Sequence, residues 1–559
     1  MNPLISKTFE NRGYSLEYIY SINNPNYDKL KDIDLIASEL KYIHDNQIPV
    51  TVFPDFDVDG ISSGVLGFAG LAELGFKVNL FVPNASEGYG ITVKSIQDLM
   101  IRFPDTKAII TCDTGIGAVE ACEYCRNIGV KVLLTDHHIQ KQIVDADVIV
   151  NPMRMDETYS HPAICGAFVL YQVLQHYSDL YCNYFTQDQI RRLRVFAGIG
   201  TISDTMPVLY ENRQVVKDAI SICKYIYGDG EIDAVANIPG CDVYRKAFYG
   251  LYYALKVCES YGVVTNSDKI DEDFFGFYYS PIFNSTKRMD GDMNRAFGVF
   301  FGNNPKSDAD YLYNLNIERK LLVESEFKNI MASDQPYAPY FYIWGAKPGI
   351  LGLLAMKLMN ATGAPSFVML DEVVDGEHLY HGSGRVPEWY DCSCIDGLVN
   401  REGHQHAFGC KCDGSNNLQE AYSVIKADYE KAVSEMGTIE PVYDFVIATD
   451  WSGDTGIDVG LFADYLEEIE MYRPFGKGFP APHVKFVFTN NDVKSWTTMG
   501  KAKQHLKISF MSGFDVLCWN QAHLINMKNS TSEICVVGHL GTSVFQGQTS
   551  INFVGDLLY

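Results

Sequence analysis

The sequence predicts an α/β fold with a parallel-sheet domain, a smaller α/β unit after it, and a C-terminal β-barrel. Two observations predict the parallel sheet. Apolar strands and helices alternate at short spacing between residues 49 and 152, and these strands are apolar along their whole length, as in sheets covered on both faces. The third observation is that residues 440–559 alternate short strands with turns, which favours a small barrel.

The elements of the parallel sheet follow one another in order along the chain. Strands are predicted at residues 49–54, 77–83, 108–113, 130–138 and 146–152. Helices are predicted at residues 62–75, 117–129 and 186–228, the first of them rich in small residues. The predicted domains are the parallel-sheet domain 1–228, a helical connector 229–330, the second α/β unit 331–435 and the barrel 436–559.

The composition is that of a globular protein with a strongly acidic balance. The chain has 559 residues, 47% of them hydrophobic, and a formal net charge of −25. A duplex-DNA binder is normally basic, so the charge favours either a metal-dependent hydrolase or simply an acidic protein. The first twenty residues lack the apolar region of a signal peptide, and no apolar stretch is long enough to span a membrane. With 14 scattered cysteines, these features predict a cytoplasmic protein without membrane association.

Carboxylates follow several strands of the predicted sheet. Asp55, Asp57 and Asp59 occupy alternate positions directly after the first strand, while Asp113 and Asp136 stand at the ends of two later strands. Because the carboxyl ends of parallel strands meet at one edge of a sheet, we expect these acids to lie close together. Alternation along an extended segment also points the first three acids to the same side.

The acids, together with His137, His138 and Asp204, have the chemistry of a metal centre. Carboxylate oxygens and imidazole nitrogens are ligands for Mn²⁺, Mg²⁺ or Zn²⁺, and two such ions about 3.5–4 Å apart are the usual clamp for phosphoester hydrolysis. The segment after the first strand also opens like a calcium loop. That alternative fails at its twelfth position, where Leu66 replaces the required glutamate.

Four segments resemble, in order, the motifs of the DHH phosphoesterase superfamily, in its RecJ-like exonuclease branch. They are DFDVDGISS (55–63), TCDTGI (111–116), LLTDHH (133–138) and GTISDTMPV (200–208). The opening with three aspartates favours this branch over the oligoribonuclease and cyclic-dinucleotide branches, which usually open with one histidine and two aspartates. The resemblance covers residues 45–559 and implies a DHH domain, a DHH-associated domain and an OB-like barrel.

The resemblance implies a centre of two divalent ions, Mn²⁺ or Mg²⁺. One ion would be held by Asp55, Asp57 and Asp113. The other would be held by Asp59, Asp113, His137 and Asp204, so that Asp113 bridges the two. Besides Asp113, the implied catalytic residues are Asp136, which would orient the histidines, and His138, which would face the scissile phosphate.

Further segments imply substrate contacts. Residues 279–289 resemble the family's Pro–Asn–Arg segment, and residues 382–385 and 403–409 resemble the phosphate-binding loops of the DHH-associated domain. The contacts implied there are Asn284, Arg288, Ser383, Arg385 and His404. The barrel adds Lys501, Lys503 and Lys507 beside Trp496 and Trp519. Glu402 departs from the family, which has a second glycine before this histidine. Two CxC pairs (392–394 and 410–412) are interpreted as free thiols rather than as a zinc site.

The implied function is a metal-dependent exonuclease that hydrolyses single-stranded DNA, in the 5′→3′ direction and with release of mononucleotides. Its role would be in DNA repair and recombination or in phage DNA metabolism. Two alternatives stay open: a phosphodiesterase for short oligonucleotides or cyclic dinucleotides, and a non-catalytic replication-factor scaffold. We expect a monomer whose partners are single-stranded DNA and a single-strand-binding protein or a helicase.

Overall fold

The computed structural model describes residues 1–25, 28–82, 90–228, 241–436, 442–448, 459–500, 503–545 and 548–558. The chain divides into two compact units. The first unit comprises Met1–Asn26, Val208–Arg213 and Thr438–Tyr559, and the second comprises Tyr27–Pro207 and Gln214–Gly437. Among the described helices, none combines the length and the apolar composition that a membrane crossing needs.

The described residues contain three sheets. Their strands are β1 Val50–Pro54, β2 Val78–Leu80, β3 Ala108–Cys112, β4 Lys131–Thr135, β5 Val148–Val150, β6 Phe341–Ile343, β7 Ser366–Val374, β8 Glu377–Arg385, β9 Asn400–His404, β10 Ala407–Asp413, β11 Phe445–Ala448, β12 Val484–Phe488, β13 Val493–Met499, β14 His505–Phe510, β15 Asp515–Cys518, β16 Ile534–Phe545 and β17 Gln548–Leu558.

The α-helices are distributed over both units. They are α1 Pro3–Asn11, α2 Leu16–Asn23, α3 Ile33–Asp45, α4 Val58–Glu73, α5 Val93–Arg102, α6 Val119–Asn127, α7 Gly166–Tyr181, α8 Tyr184–Arg192, α9 Arg194–Ser203, α10 Tyr210–Gly228, α11 Asp242–Ser260, α12 Glu272–Phe274, α13 Ser280–Phe283, α14 Ser285–Met289, α15 Met293–Phe301, α16 Pro305–Ala332, α17 Leu351–Thr362, α18 Ser415–Met436 and α19 Val459–Ile469. A π-helical turn, Phe275–Tyr279, joins α12 to α13, and short 3₁₀ turns lie at Ser267–Lys269, Pro348–Ile350, Ser393–Ile395, Glu470–Tyr472, Asn490–Asp492 and Ala522–Asn529.

The first sheet is parallel throughout, with the strand order β2-β1-β3-β4-β5. Two of its three inner strands, β1 and β3, are buried along their whole length, which explains their continuous apolar sequences. The chain leaves β1 toward one side and β3 toward the other, so the strand order reverses between them. Ligands of open α/β sheets bind at the carboxyl ends of strands at such a switch point. The predicted parallel sheet is confirmed, and the first acids lie at this point.

Small residues bring α4 close to the sheet. Asp57 caps the helix, since its Oδ1 accepts hydrogen bonds from the backbone N–H groups of Asp59 and Gly60. A Cβ atom at Gly60 would lie 2.4 Å from the carbonyl oxygen of Asp55, and one at Gly64 would lie 2.9 Å from the ring of Pro54. Larger side chains would therefore push the helix away from the acid segment that precedes it.

The second sheet, with the order β6-β7-β8-β10-β9, belongs to the same unit and is largely antiparallel. Its core contains Phe341, Phe367 and Phe408, together with residues of α18. This is the smaller α/β unit that the sequence predicts after the connector.

The third sheet lies in the other unit, with the order β11-β12-β16-β17-β15-β14-β13. Alternate residues of β12 and β14 are buried, as a sheet with one covered face requires. Apolar residues of α1 and α2 join the same core, and Arg12 pairs with Asp444. Residues 1–26 therefore group with this C-terminal sheet rather than with the rest of the predicted domain 1–228. The other predicted boundaries, at 330/331 and 435/436, stay predictions.

Candidate metal centre

Asp55 lies directly after β1 and is almost fully buried. Neither of its carboxylate oxygens has a hydrogen-bond partner. Burial and the neighbouring charge of Asp57 raise the pKa of the Asp55 carboxyl to about 7. A buried carboxylate with unpaired oxygens costs free energy unless a cation balances its charge, so Asp55 has the environment of a metal ligand.

Asp59 points from the first turn of α4 toward the start of another helix. Its Oδ2 accepts a hydrogen bond of 2.7 Å from the backbone N–H of Gly166, and its Oδ1 accepts one of 3.1 Å from that of Ala167. The N-terminus of α7 thus holds the carboxylate in a fixed orientation. Burial is the largest cause of the raised pKa of Asp59, followed by His137, which opposes it, and Asp57, which adds to it.

Asp113 follows β3 with a backbone φ of +63°, an uncommon conformation for a residue other than glycine. Strained backbone of this kind concentrates at functional sites. The side chain is buried, and its Oδ1 lies 3.0 Å from Nε2 of His137. Burial, followed by the charges of Asp59, Asp57 and Asp55, raises the pKa of Asp113 well above its usual value.

Two glycines that the sequence did not single out allow these acids to meet. A Cβ atom at Gly166 would lie 2.4 Å from Cβ of Asp113, and one at Gly200 would lie 2.3 Å from Oδ1 of Asp59. Gly200 stands four residues before Asp204, inside the fourth motif, which is the one sequence signal that could have identified it. Gly166 has no such signal, because its role depends on where α7 begins.

Asp136 is buried behind the two histidines. Its Oδ1 accepts hydrogen bonds from the backbone N–H groups of His137 and His138 and lies 2.8 Å from Nδ1 of His138, while its Oδ2 accepts from the backbone of Ile116. Burial alone would raise the pKa of Asp136, but these hydrogen bonds and the histidines lower it. In turn, burial would lower the pKa of His138, but Asp136, Asp204 and Asp55 raise it to about 9.

The predicted ligands, together with the predicted catalytic residue His138, form three overlapping groups, and the ligand atoms of each group lie within 4.8 Å of one another. The groups are Asp55, Asp57 and Asp113; Asp59, His137 and Asp204; and Asp113, His137 and His138. Asp113 and His137 each belong to two of them. The structure therefore brings together all six residues that the sequence names as ligands. Their division between two ions stays a prediction.

Two of the predicted substrate contacts, Arg288 and Arg385, belong to the same unit as the acids. Nη1 of Arg288 donates a hydrogen bond of 3.4 Å to the carbonyl of Gly349, just before α17. Burial and the charge of Arg385 lower the pKa of Arg288, and the charge of Asp57 opposes them. Nη2 of Arg385 and Oγ of Ser383 come close to the backbone at Gly352, where a Cβ atom would lie 2.8 Å from the guanidinium. Arg288 is therefore within electrostatic reach of both Asp57 and the second sheet's Arg385.

The register of the second sheet aligns the remaining predicted contacts. Arg385 on β8 is opposite Ala407 on β10, which is opposite His404 on β9. Two residues further along the strands, Ser383 on β8 is opposite Gly409 on β10, which is opposite Glu402 on β9. Directly opposed residues of antiparallel strands project from the same face, so Ser383, Arg385 and His404 share a face. Glu402 shares it as well, and Ala407 and Gly409 leave space between the two sides.

The other predicted contacts differ in their surroundings. Asn284 lies half-buried at the junction of α13 and α14, whereas Lys501 lies outside the described residues. Lys507 pairs with Asp515 at 2.7 Å. Trp496 donates its Nε1 hydrogen to Asn490 and packs on the core of the third sheet. Trp519 is more accessible, being 49% exposed beside His505, and stacking on a base stays a prediction.

All fourteen cysteines are free thiols, as the sequence interpretation expected. Cys392, Cys394, Cys410 and Cys412 belong to the described residues, and none of them is part of a group able to hold a metal. The zinc alternative for the CxC pairs therefore has no support from the geometry.

A parallel sheet with clustered carboxylates and histidines at its switch point is the architecture of a metal-dependent hydrolase. Residues 49–196 match the family model of the DHH family, N-terminal domain, and residues 460–555 match that of the RecJ OB domain. The chain thus contains a region similar to the DHH family's N-terminal domain and a region similar to the RecJ OB domain.

Among known proteins, the chain is similar to the single-stranded-DNA-specific exonuclease RecJ of Bacillus subtilis, with 22% identity over 97% of this chain and 66% of that protein. It is 23% identical to RecJ of Thermus thermophilus, over 89% of this chain and 67% of the relative. The crystal structure of Thermus RecJ with Mn²⁺ superposes with a TM-score of 0.72 and 20% identity, covering 100% of this chain and 76% of that one. The fold is thus shared, while the chain spans about two thirds of the relatives' length.

Proposed function

We propose that the chain is a metal-dependent exonuclease that hydrolyses the phosphodiester bonds of single-stranded DNA. The observation that carries the proposal is the pair of ligand groups, Asp55 with Asp57 and Asp59 with His137, that both adjoin Asp113 at the switch point of the sheet. The relatives from Bacillus subtilis and Thermus thermophilus are single-stranded-DNA-specific exonucleases, which supports the choice of substrate.

The donor set fits two hard or borderline divalent cations such as Mn²⁺ or Mg²⁺. Asp55 supports this fit between the residues and the cations, because both of its carboxylate oxygens are buried without a hydrogen-bond partner. We assign Asp55, Asp57 and Asp113 to one ion and Asp59, Asp113, His137 and Asp204 to the other. When bound, the ions would supply Lewis acidity toward water and the phosphate.

The protein's own residues then position and charge-balance the substrate. Asp136 fixes the ring of His138 through Nδ1, so its Nε2 is the nitrogen that would hydrogen-bond the scissile phosphate. In the metal-free protein, a pKa of about 9 keeps that imidazole protonated at neutral pH. Arg288 and Arg385 would bind a neighbouring phosphate through their forked donors, with Ser383 and His404 on the same sheet face as Arg385.

We further propose 5′→3′ polarity, release of mononucleotides and a role in DNA repair, recombination or phage DNA metabolism. The C-terminal unit supports a polymeric substrate, since a cyclic dinucleotide has no use for an OB domain that binds single strands. A monomeric state, a cytoplasmic location, and a single-strand-binding protein or helicase as partner stay predictions.

One digestion series tests the function. The substrates are 5′-labelled and 3′-labelled single-stranded DNA, the matching duplex, a dinucleotide and a cyclic dinucleotide, each with Mn²⁺, Mg²⁺ or EDTA. We expect metal-dependent loss of single-stranded DNA, with the 5′ label released first as a mononucleotide. Preference for the cyclic dinucleotide would favour the small-substrate alternative, and no hydrolysis of any substrate would favour the scaffold.

A further inference from the structure

Lys287 is a cation beside the three-aspartate segment; it belongs to the segment 279–289, but neither the contacts implied there nor the proposed mechanism uses it. It lies on α14, directly before Arg288, and its Nζ lies 4.6 Å from the centroid of the Phe56 ring. Phe56 is buried and stands in the chain between Asp55 and Asp57. The amino group is therefore held over the residue that separates two predicted metal ligands.

The position of α14 is fixed by a close backbone contact. A Cβ atom at Gly349 would lie 2.4 Å from the carbonyl oxygen of Arg288, and the Arg288 guanidinium hydrogen-bonds to the carbonyl of that glycine. Arg288 and Lys287 are therefore carried on one helix in a fixed position. The charge of Asp57 acts on Arg288, and the charge of Lys287 acts on Asp55.

The electrostatics agree with this placement. Burial and the charge of Asp57 raise the pKa of Asp55, and the charge of Lys287 opposes them. The positive charge therefore reaches the ligand-bearing edge of the sheet. A lysine is suited to a phosphate there because its ammonium is a compact charge on a flexible stem, which can turn from the Phe56 ring toward a bound anion.

We propose that Lys287 is a substrate-binding residue whose ammonium contacts a non-bridging phosphate oxygen beside the Asp55–Asp57 segment. This inference rests on the proposed nuclease function. The competing role is that of a fixed counter-charge, in which Lys287 only balances Asp55 and changes the affinity for the metal.

The test compares Lys287→Met and Lys287→Arg in the full-length chain. Lys328→Met is the matched control, because Lys328 is an exposed lysine on α16 that pairs with Glu324. Hydrolysis of oligothymidylate with Mn²⁺ is measured over a range of salt concentrations, and Mn²⁺ binding is measured separately by electron paramagnetic resonance.

Loss of one charged contact should raise KM roughly tenfold in Lys287→Met and leave kcat within about twofold. The slope of log KM against log salt should fall by about 0.7, as one phosphate contact fewer predicts for a single strand. Lys287→Arg should keep the wild-type KM and slope, and Lys328→Met should match the wild type.

An unchanged KM in Lys287→Met overturns the proposal, and a changed Mn²⁺ dissociation constant with an unchanged KM assigns the residue to the counter-charge role instead. If the wild-type chain cleaves no substrate, the proposed function fails separately. In that case fluorescence anisotropy of a labelled oligothymidylate still tests Lys287, since equal dissociation constants for the wild type and Lys287→Met overturn the contact.

Discussion

Replacing Asp55 by asparagine should stabilise the metal-free protein while it removes a predicted metal ligand. The wild-type carboxyl is buried, both oxygens lack hydrogen-bond partners, and its pKa rises from 3.8 to about 7. Such a rise corresponds to about 4 kcal/mol of destabilisation when the group is ionised in both the folded and the unfolded state. This value is an upper limit, because asparagine still buries a polar amide at the same place.

The sign of the pH dependence follows from the raised pKa. Because the folded state holds the proton more tightly than the unfolded state, the cost is absent below pH 4, grows between pH 4 and pH 7, and is complete above pH 7. Urea unfolding of EDTA-treated protein should therefore show Asp55→Asn more stable than the wild type by up to about 4 kcal/mol at pH 8, and by under about 2 kcal/mol at pH 5.

A matched variant and a metal titration complete this experiment. Asp156→Asn removes an exposed carboxylate whose pKa is lowered by Lys31 and Arg154, so it should gain no stability. Saturating Mn²⁺ should stabilise the wild type and have a smaller effect on Asp55→Asn. Equal unfolding free energies of Asp55→Asn and the wild type at pH 8 without metal would refute the reasoning.

Three other substitutions test the site. Asp113→Ala should lower Mn²⁺-dependent hydrolysis by at least about 1,000-fold, because both ligand groups adjoin this residue; retained activity would contradict the assignment. Arg385→Ala should raise KM roughly tenfold, as expected for a lost charged contact, with a smaller effect on kcat. Arg401→Ala is its control, since Arg401 is opposite Cys410 and projects from the other face of the sheet; equal effects of the two would count against the phosphate role. Gly200→Ala should cost about 1–3 kcal/mol of stability or displace Asp59, since the new Cβ would lie 2.3 Å from its Oδ1; unchanged melting and unchanged Mn²⁺ affinity would exclude the close approach.

The acids of the centre were predictable because they depend on a simple rule of topology. Each follows a strand or belongs to an ordered motif, and a parallel sheet brings strand ends together. The residues that the sequence missed act across the fold instead. Gly166 is important only because α7 begins against Asp113, and Lys287 only because α14 packs beside the acid segment. The sequence around Gly166 does not show what α7 packs against, and the sequence around Lys287 does not show what α14 packs against.

The grouping of the N-terminal helices with the C-terminal sheet was missed for a similar reason. The apolar faces of α1 and α2 predict helices, but an apolar face carries no information about its partner. The specific evidence is the pairing of Arg12 with Asp444 and the hydrogen bond from Asn2 to the carbonyl of Leu461. These join residues more than 400 positions apart, so only the folded chain reveals them.

A net charge of −25 does not exclude a polyanionic substrate, because the relevant field is local. Around the centre the cationic side chains are concentrated and partly buried. Arg319 is one of them: burial and the charge of Arg288 lower its pKa to about 10, so it stays protonated at neutral pH. The charge of Arg385 lowers the pKa of Arg288, and the charge of Asp57 raises it.

Like charges repel one another, and an anion bound between the arginines would relieve that repulsion. The acids across the site repel one another in the same way, and divalent cations relieve it. Under the proposed function, each half of the site would therefore be costly when empty, and a substrate phosphate between the metal ions and the arginines would stabilise both at once.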